Sequence, residues 1–338
     1  MATNLYGVDL GTANIKMFSK MGNEAVSEKN TIAIRDKREI YAYGDDAYAM
    51  YEKVPNNIKV SFPMVNGVIA DYNNMQKLVE TFLDKHIKSH SKNADFIVAV
   101  PTDITEVEKR SFYDLFYKSK IRPKSVMLCE KPIAAAVGLG LNVNEPTGSM
   151  IVDIGADTTE VSVISLGGLV LSDLLRVGGN QLDEAIITHI KRKYNLVIGQ
   201  KTAQSLKIEL GDAMNVDNGV KVIVGRDVVS GLPVEVEISS LVVNEAIKEG
   251  LNSICTSIKM ILEKTPPELA KDIIRSGIYL AGGGSQLKHM GELITDLTKI
   301  KVNETEEPAL CVVRGLNHIV SESEYQTLAY NLKRRIYS

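Results

Sequence analysis

Two aspartates, Asp9 and Asp153, each end an apolar run of the kind that forms a buried strand. In both places a glycine follows two residues later, and a strand pattern resumes after a short polar turn. A glycine lets the backbone approach an anion closely, and the successive N–H groups of a tight turn form an anion-binding concavity. A carboxylate at the end of a strand is also a ligand that hydrated Mg²⁺ accepts. Each stretch therefore has the chemistry of a phosphate-binding hairpin.

Either stretch alone is equally compatible with an ordinary hairpin, because glycine and aspartate are also the residues that hairpin turns use. The chain, however, contains two copies of the pattern, at residues 5–18 and 150–164. Two phosphate-binding hairpins in one chain indicate a nucleotide that is held from two sides.

The elements that must position these turns alternate along the chain between strand and helix patterns. Predicted strands are 96–100, 220–224 and 234–238, and residues 126–138 predict a strand, a break and the start of an alanine-rich helix. Predicted helices are 75–86, 202–214 and 239–264, with another beginning near Thr105, where Glu108 follows at capping-box spacing. Residues 277–287 read as a strand, a glycine turn and a helix. This mixture predicts an α/β fold.

The composition is that of a globular protein, with 338 residues, 44% hydrophobic and 24% charged. This length predicts two domains of ordinary size. A net charge of −3 argues against non-specific nucleic-acid binding. Three widely spaced cysteines favour reduced thiols over a disulfide framework or a metal site. We also expect no membrane-spanning segment and no signal peptide, and therefore a cytoplasmic protein.

The two hairpins resemble the phosphate motifs of the actin, Hsp70 and sugar-kinase superfamily. The run Asp-Leu-Gly-Thr-Ala-Asn at residues 9–14 resembles the bacterial actin MreB family in particular. Similar segments at 176–186, 277–287 and 307–315 extend the resemblance over nearly the whole chain. It implies an actin-like (ribonuclease H-like) fold with two large domains, each bearing a smaller inserted subdomain, and ATP or ADP with Mg²⁺ in the central cleft.

The resemblance also implies a division into four subdomains. The first large domain would comprise subdomain IA (1–32, 66–146 and 312–338) and subdomain IB (33–65). The second would comprise subdomain IIA (147–180 and 245–311) and subdomain IIB (181–244).

The family's nucleotide site carries over residue by residue. Asp9 and Asp153 would hold the magnesium ion through water. The implied phosphate-binding residues are Gly11, Thr12, Ala13, Asn14, Gly155, Ala156, Asp157 and Thr158. Those implied near the nucleoside are Gln204, Lys207, Gly282, Gly283, Gly284 and Ser285, and Gly178 and Gly179 are further implied cofactor-binding residues. Thr158 and Glu160 would lie near the catalytic water.

One departure from the family concerns catalysis. Relatives place a glutamate directly before the proline that is Pro132 here, and it orients the water that attacks the terminal phosphate; this chain has Lys131. An ammonium group has three donors and no acceptor, so it cannot take a proton or hydrogen bond from that water. It can still bind the terminal phosphate as a point charge. The alternative is that Lys131 simply extends to solvent. Glu130 is a poor substitute, because adjacent strand residues point to opposite faces.

A second departure lies in the hairpin at 150–164, where the family's Gly-Gly-Gly is Gly155-Ala156-Asp157. Losing two glycines narrows the allowed backbone conformations, and a carboxylate near phosphates repels them unless a cation intervenes. Our hypothesis is that Asp157 and Lys131 compensate one another as an ion pair. Asn180 also replaces an aspartate of the family pattern, and Gln204 replaces a glutamate.

The implied function is an ATP-binding bacterial actin that polymerises with itself into cytoskeletal filaments, beside other MreB paralogues, and governs cell shape or cell-body movement. Slow ATP hydrolysis is expected because of Lys131. The main alternative is a scaffold locked in one nucleotide state, and a small-molecule kinase of the same superfamily is more remote. Lys333, Arg334 and Arg335 offer a weak contact with the inner face of the membrane, although a solvated tail is the simpler interpretation.

Overall fold

The structure is a computed structural model of the chain, and it describes residues 4–19, 25–87 and 94–332. The basic residues Lys333, Arg334 and Arg335 lie outside this range. The chain divides into two compact units. The first takes the described residues up to 147 together with 164–174 and 309–332, and the second takes 148–163 and 175–308. The finer division into four subdomains stays a prediction.

The first part of the chain contains ten strands and four helices among its described residues. The strands are β1 (Asn4–Leu10), β2 (Asn14–Ser19), β3 (Val26–Lys29), β4 (Ile32–Arg35), β5 (Glu39–Tyr43), β6 (Ile58–Ser61), β7 (Met64–Val65), β8 (Val68–Ile69), β9 (Ala94–Val100) and β10 (Val126–Glu130). The helices are α1 (Gly44–Met50), α2 (Tyr72–His86), α3 (Glu106–Tyr117) and α4 (Lys131–Gly138).

The remainder of the described chain follows the same mixture. Its strands are β11 (Ser149–Ile154), β12 (Thr159–Ser165), β13 (Gly168–Leu175), β14 (Leu196–Val197), β15 (Val220–Asp227), β16 (Pro233–Ser239), β17 (Ile278–Ala281) and β18 (Val302–Asn303). Its helices are α5 (Gly179–Tyr194), α6 (Gln200–Leu210), α7 (Ser240–Lys264), α8 (Pro267–Ser276), α9 (Met290–Thr298) and α10 (Cys311–Ser321).

Two five-stranded sheets share one strand order. The first runs β10-β9-β1-β2-β3, with β9 parallel to both β1 and β10, and β2 antiparallel to both β1 and β3. The second runs β13-β12-β11-β17-β18, with β17 parallel to both β11 and β18. Each sheet therefore combines parallel strands with a β-hairpin, which is β1–β2 in the first sheet and β11–β12 in the second. The tip of each hairpin lies at the carboxyl end of the central strand, β1 or β11.

The faces of β1 explain how the first hairpin is held. Successive strand residues point to opposite faces, so Val8 and Leu10 lie in the main hydrophobic core while Gly7 and Asp9 face away from it. A Cβ at Gly7 would lie 2.6 Å from Leu316 of α10, so this face of β1 packs closely against that helix. The predicted capping box of α3 is present, with the Thr105 N–H donating to the Glu108 carboxylate.

The structure differs from the sequence-based expectations in three helices. The helix predicted over 75–86 begins at Tyr72, with Asp71 as its N-cap. The predicted helix over 202–214 ends at Leu210, because Gly211 leaves the helical conformation and its N–H closes the last turn on Lys207. After β17 the glycine turn forms a 3₁₀ helix, Gly283–Gln286, and the α-helix begins only at Met290.

Candidate functional site

The first predicted phosphate turn joins β1 to β2 through Thr12 and Ala13. The N–H of Gly11 donates to the carbonyl of Asn14 across 3.0 Å, which closes a tight two-residue loop. Gly11 does not need a positive φ, but a Cβ there would lie 2.9 Å from the Asn14 oxygen. The glycine is therefore required by lack of space rather than by backbone conformation.

Asn30 supports this turn from the loop between β3 and β4. Its side-chain amide donates to the Gly11 carbonyl at 2.8 Å, and its backbone N–H donates to the Ala13 carbonyl at 2.9 Å. Asn30 is fully buried. Sequence reasoning missed this residue, because nothing in its local pattern indicates a partner 19 positions away.

Asp9 lies at the end of β1 between two lysines. Lys16 is its cross-strand neighbour on β2, and the Lys16 ammonium is 3.2 Å from Oδ2 of Asp9. The Lys131 ammonium is 3.2 Å from Oδ1, an ion-pair distance without a hydrogen-bonding angle. The side chains of Lys16 and Lys131 are only 12% and 13% exposed, and that of Asp9 is 5% exposed. We call these three residues the Asp9 cluster.

The fold explains how Lys131 reaches Asp9. In the parallel register Asp9 and Cys129 both lie level with Ala99 of β9. Two strand spacings of about 4.8 Å separate β1 from β10, so only a long side chain can span them. Lys131 is the first residue of α4 rather than the last of β10, so strand alternation does not govern its direction. The interpretation that it extends to solvent is wrong.

Two ammonium groups lie against the one carboxylate of the Asp9 cluster. Burial alone would raise the pKa of Asp9, but the ammonium groups of Lys131 and Lys16 hold it below its ordinary value. The start of α4 adds the positive end of a helix dipole. Asp9 is thus poorly suited to hold Mg²⁺, since both its oxygens lie against cations.

The second predicted phosphate turn joins β11 to β12 and has the same backbone hydrogen bond as the first. The N–H of Gly155 donates to the carbonyl of Thr158 at 2.8 Å. A Cβ at Gly155 would lie 3.0 Å from the same oxygen. The start of α5 supports this turn, as the N–H groups of Gly179 and Asn180 donate to Gly155 and Ala156 at 3.0 and 2.7 Å.

The side chain of Asp157 is also tied to α5. The Asn180 amide donates to Oδ1 of Asp157 at 2.7 Å, and Asp157 is only 7% exposed. Neither Ala156 nor Asp157 has a positive φ, so the loss of two glycines introduces no backbone strain here. The proposed ion pair between Asp157 and Lys131 joins two different units and stays a prediction.

The residues predicted near the nucleoside belong to the second unit. Gly282 has a φ of +80°, and a Cβ there would collide with Asp153 and the carbonyl of Ile154. A Cβ at Gly284 would lie 2.5 Å from the Ile154 side chain. Two glycines of this turn are therefore needed to pack against the end of β11. The Ser285 hydroxyl donates to the Gly282 carbonyl at 2.8 Å, and Gly283 begins the 3₁₀ helix.

Lys207 of α6 is engaged within its own unit. Its ammonium lies 2.8 Å from Asp183 and donates to the Gly179 carbonyl at 2.6 Å, which ties α6 to the start of α5. Burial raises the pKa of Asp183, and Lys207 offsets only part of that rise. Gln204 lies one turn earlier on α6. The roles of Lys207 and Gln204 toward a nucleoside stay predictions.

The predicted catalytic residues of the second unit lie on or beside β12. Thr158 is half-buried at the turn, and Glu160 is buried within the strand. Between them the Thr159 hydroxyl donates to the Val177 carbonyl at 2.7 Å, which anchors the strand. Gly178 lies against Ala156, since a Cβ there would be 2.8 Å from the Ala156 carbonyl. The catalytic roles of Thr158 and Glu160 and the binding role of Gly178 stay predictions.

Comparison with known proteins identifies the family. A family model for MreB/Mbl proteins matches residues 3–327. The chain belongs to the MreB/Mbl family. It is 40% identical over 324 residues to the cell shape-determining protein MreB of Escherichia coli, covering 93% of this chain and 92% of that protein. It is 36% identical over 315 residues to Mbl of Bacillus subtilis, covering 91% and 93%.

A solved structure agrees with this assignment. MreB5 of Spiroplasma citri bound to AMPPNP matches 97% of this chain and 98% of its own, with 32% identity and a TM-score of 0.90. The same protein has also been solved with ADP. The predicted MreB family and actin-like fold are therefore confirmed.

The residues that depart from the implied MreB/Mbl pattern each contact a polar or charged partner. Asp157 accepts a hydrogen bond from the side-chain amide of Asn180, and the resemblance implies a glycine and an aspartate at these two positions. The lysine gained at position 131 faces Asp9, and Lys16 shares that carboxylate. Lys16 was missed in the sequence, although counting across the hairpin from its two-residue turn would have placed it opposite Asp9.

Proposed function

We propose that the chain binds ATP and ADP and polymerises into cytoskeletal filaments that govern cell shape or cell-body movement. Membership of the MreB/Mbl family supports this, as does the cell-shape role carried in the names of its Escherichia coli and Bacillus subtilis relatives. The AMPPNP- and ADP-bound structures of Spiroplasma citri MreB5 support the nucleotide.

The pair of equivalent hairpin turns carries the proposal. Each has a closely packed glycine, a two-residue loop and a supporting asparagine, Asn30 in one and Asn180 in the other. The turns would bind phosphate, and the glycine turn after β17 would border the nucleoside. Asp153 is the carboxylate that would hold a hydrated Mg²⁺, which would neutralise phosphate charge. Asp9 does not fit that role.

ATP hydrolysis in this proposal is slow, because Lys131 cannot act as a base toward the attacking water. Its ammonium is nearly buried and paired with Asp9, which supports a fixed structural position rather than a mobile catalytic one. The same observation favours the second candidate, a scaffold that holds one nucleotide and turns over little. Turnover separates the two candidates.

The test is phosphate release under polymerising conditions from the natural chain, Lys131→Glu and Lys131→Gln. Lys131→Gln removes the ammonium without adding a carboxylate, so it controls for loss of the Asp9 pair. Sedimentation measures filament formation, and thermal unfolding verifies that each variant is folded. We expect slow release from the natural chain, clearly faster release from Lys131→Glu and no acceleration in Lys131→Gln.

Brisk release from the natural chain would show that another group activates the water. Slow release from both the natural chain and Lys131→Glu, with nucleotide retained, would favour the nucleotide-locked scaffold. Failure to sediment with any nucleotide would contradict the filament proposal.

The proposed location is the cytoplasm, at or near the inner face of the membrane. No helix in residues 4–19, 25–87 and 94–332 is long and apolar enough to cross a bilayer. Partners would be further copies of this chain and other MreB paralogues, with a weak lipid contact through Lys333, Arg334 and Arg335. Co-sedimentation with anionic vesicles that is unchanged after deletion of residues 333–338 would remove the tail from this proposal.

A further inference from the structure

The outer face of the β15–β16 pair carries apolar side chains where the solvent face of an antiparallel sheet is ordinarily polar. Val220, Val222 and Val224 alternate along β15 and are 56%, 57% and 59% exposed. Residues directly opposite one another in an antiparallel pair point to the same side of the sheet, so Glu237 and Glu235 lie beside Val222 and Val224. We call these five residues the valine face.

The other face of the same two strands is already packed. Ile223 and Ile238 are buried, and a Cβ at Gly225 would lie 2.5 Å from the Leu196 side chain. Strand preference does not explain the outward valines, because threonine is also favoured in strands and would offer a polar group to solvent. An apolar stripe beside charged residues is the pattern of an interaction surface.

The charges on the valine face favour a cationic partner. Glu235 and Glu237 are exposed, and neither forms an ion pair with another residue of the ranges 4–19, 25–87 and 94–332. Arg226 follows two positions after Val224 at the end of the strand pair, which leaves the carboxylates in the majority. The glutamates would repel an anionic lipid surface or a nucleic acid. Contact between two copies of the valine face would bring the glutamates of both copies together.

The chain itself contains a segment of matching chemistry. Beyond Leu332, which is buried in the main hydrophobic core, the sequence continues as Lys-Arg-Arg-Ile-Tyr-Ser at residues 333–338. Its three cations are followed at once by two apolar side chains, which complements two carboxylates beside a valine stripe. The stripe from Val220 to Val224 spans about 14 Å at about 3.4 Å per residue, and five extended residues cover the same length.

We propose that residues 333–338 of one copy of the chain dock on the valine face of a second copy. Their basic side chains pair with Glu235 and Glu237, and their apolar side chains cover the valines. This inference rests on the proposed filament function, because self-association holds copies at a high local concentration, and it names one surface and one segment through which copies meet. Docking and the weak lipid contact use the same basic residues and therefore compete.

The experiment is disulfide coupling between two differently tagged full chains, mixed under polymerising conditions without lipid. One carries Ser338→Cys and the other Val222→Cys, while the three native cysteines are buried. Ile274→Cys on α8 is the matched control, since Ile274 is 65% exposed. Each rate is divided by that of the same thiol with a small neutral disulfide, which corrects for thiol reactivity. We expect Val222→Cys to couple with Ser338→Cys at least about tenfold faster than Ile274→Cys does.

Charge reversal tests the pairing itself. Reversing either partner should slow the coupling at least about tenfold, and reversing both restores opposite charges and should recover most of the rate. The two reversals are Glu235→Lys/Glu237→Lys on the valine face and Lys333→Glu/Arg334→Glu/Arg335→Glu on the segment.

A control reversal on another surface is Glu263→Lys/Glu268→Lys, which changes two exposed carboxylates and should leave the rate unchanged. Thermal unfolding verifies that each variant is folded.

The outcomes separate this inference from the proposed function. Equal coupling at Val222→Cys and Ile274→Cys would overturn the inference, and so would a combined reversal that fails to restore the rate. Coupling that appears only with anionic vesicles would assign the segment to lipid instead. Sedimentation with ATP is measured in parallel. Sedimentation without coupling would overturn the inference alone, whereas coupling without sedimentation would support the docking and contradict the filament proposal.

Discussion

The two turns predicted to bind phosphate have the same backbone hydrogen bonds but different charged neighbours. Both are two-residue loops closed from a glycine N–H to a carbonyl three residues later. In the first unit two ammonium groups surround one carboxylate, whereas in the second unit the carboxylate of Asp157 is held by the neutral amide of Asn180. Backbone hydrogen bonds determine the shape of each turn, so the charged side chains beside the two turns can differ.

The largest effect is expected from removing both cations of the first turn. Lys16→Met/Lys131→Met leaves Asp9 buried without an opposite charge, which we expect to lower the free energy of unfolding by about 3–5 kcal/mol. Urea unfolding of the full chain measures this value. Lys118→Met/Lys120→Met removes two exposed lysines from their ion pairs with Asp114 and Glu80, and should cost less than about 1 kcal/mol. An equal loss in both variants would mean that the Asp9 cluster is not a buried charge site.

The second turn should keep its stability only when Asp157 and Asn180 are changed together. Asn180→Asp places a carboxylate where an amide now donates to Asp157 at 2.7 Å, and we expect a loss of about 2 kcal/mol of stability. Asp157→Gly combined with Asn180→Asp restores the family pairing and should recover most of that loss. If the double variant is as unstable as Asn180→Asp alone, the two residues are not coupled.

Support of the first turn by Asn30 is expected to have a smaller effect. Asn30→Ala leaves the Gly11 carbonyl without its amide donor, while the backbone bond to Ala13 remains. We expect a loss of about 1 kcal/mol, measured as a shift of the urea midpoint. Asn73 on α2 is exposed, so Asn73→Ala is the matched control and should change little. If Asn30→Ala loses no stability, the hydrogen bonds of the hairpin alone hold the turn.

Both hairpins were predictable because their signal is local. An apolar run, an aspartate and a glycine two residues later determine strand and turn within fifteen positions of chain. The position of Lys16 opposite Asp9 was predictable in principle, because a two-residue turn fixes the register of the hairpin. Asn30 and the partner of Lys131 were not predictable, because they depend on contacts between segments that only the sheet brings together.

The least pronounced contrast concerns acid titration. Lys131 and Lys16 overcome the burial of Asp9 and lower its pKa, whereas burial of Asp183 on α5 prevails over Lys207 and raises its pKa. An acid with a lowered pKa in the folded state stabilises the protein above its unfolded pKa of about 3.9, and this stability is lost as pH falls through the folded value. An acid whose pKa is raised in the folded state stabilises the protein below the unfolded pKa. This stabilisation is lost as pH rises above about 3.9.

Urea unfolding of the natural chain, Asp9→Asn and Asp183→Asn across acidic pH tests both directions. The stability difference between the natural chain and Asp9→Asn should shrink as the solution is acidified below about pH 3.9. Relative to Asp183→Asn, the natural chain should instead become less stable as pH rises above that value. The reason is that the folded state resists ionisation of a buried carboxyl group. If both differences change in the same direction with pH, then a buried ion pair with lysine behaves alike in the two units, and the electrostatic contrast between them disappears.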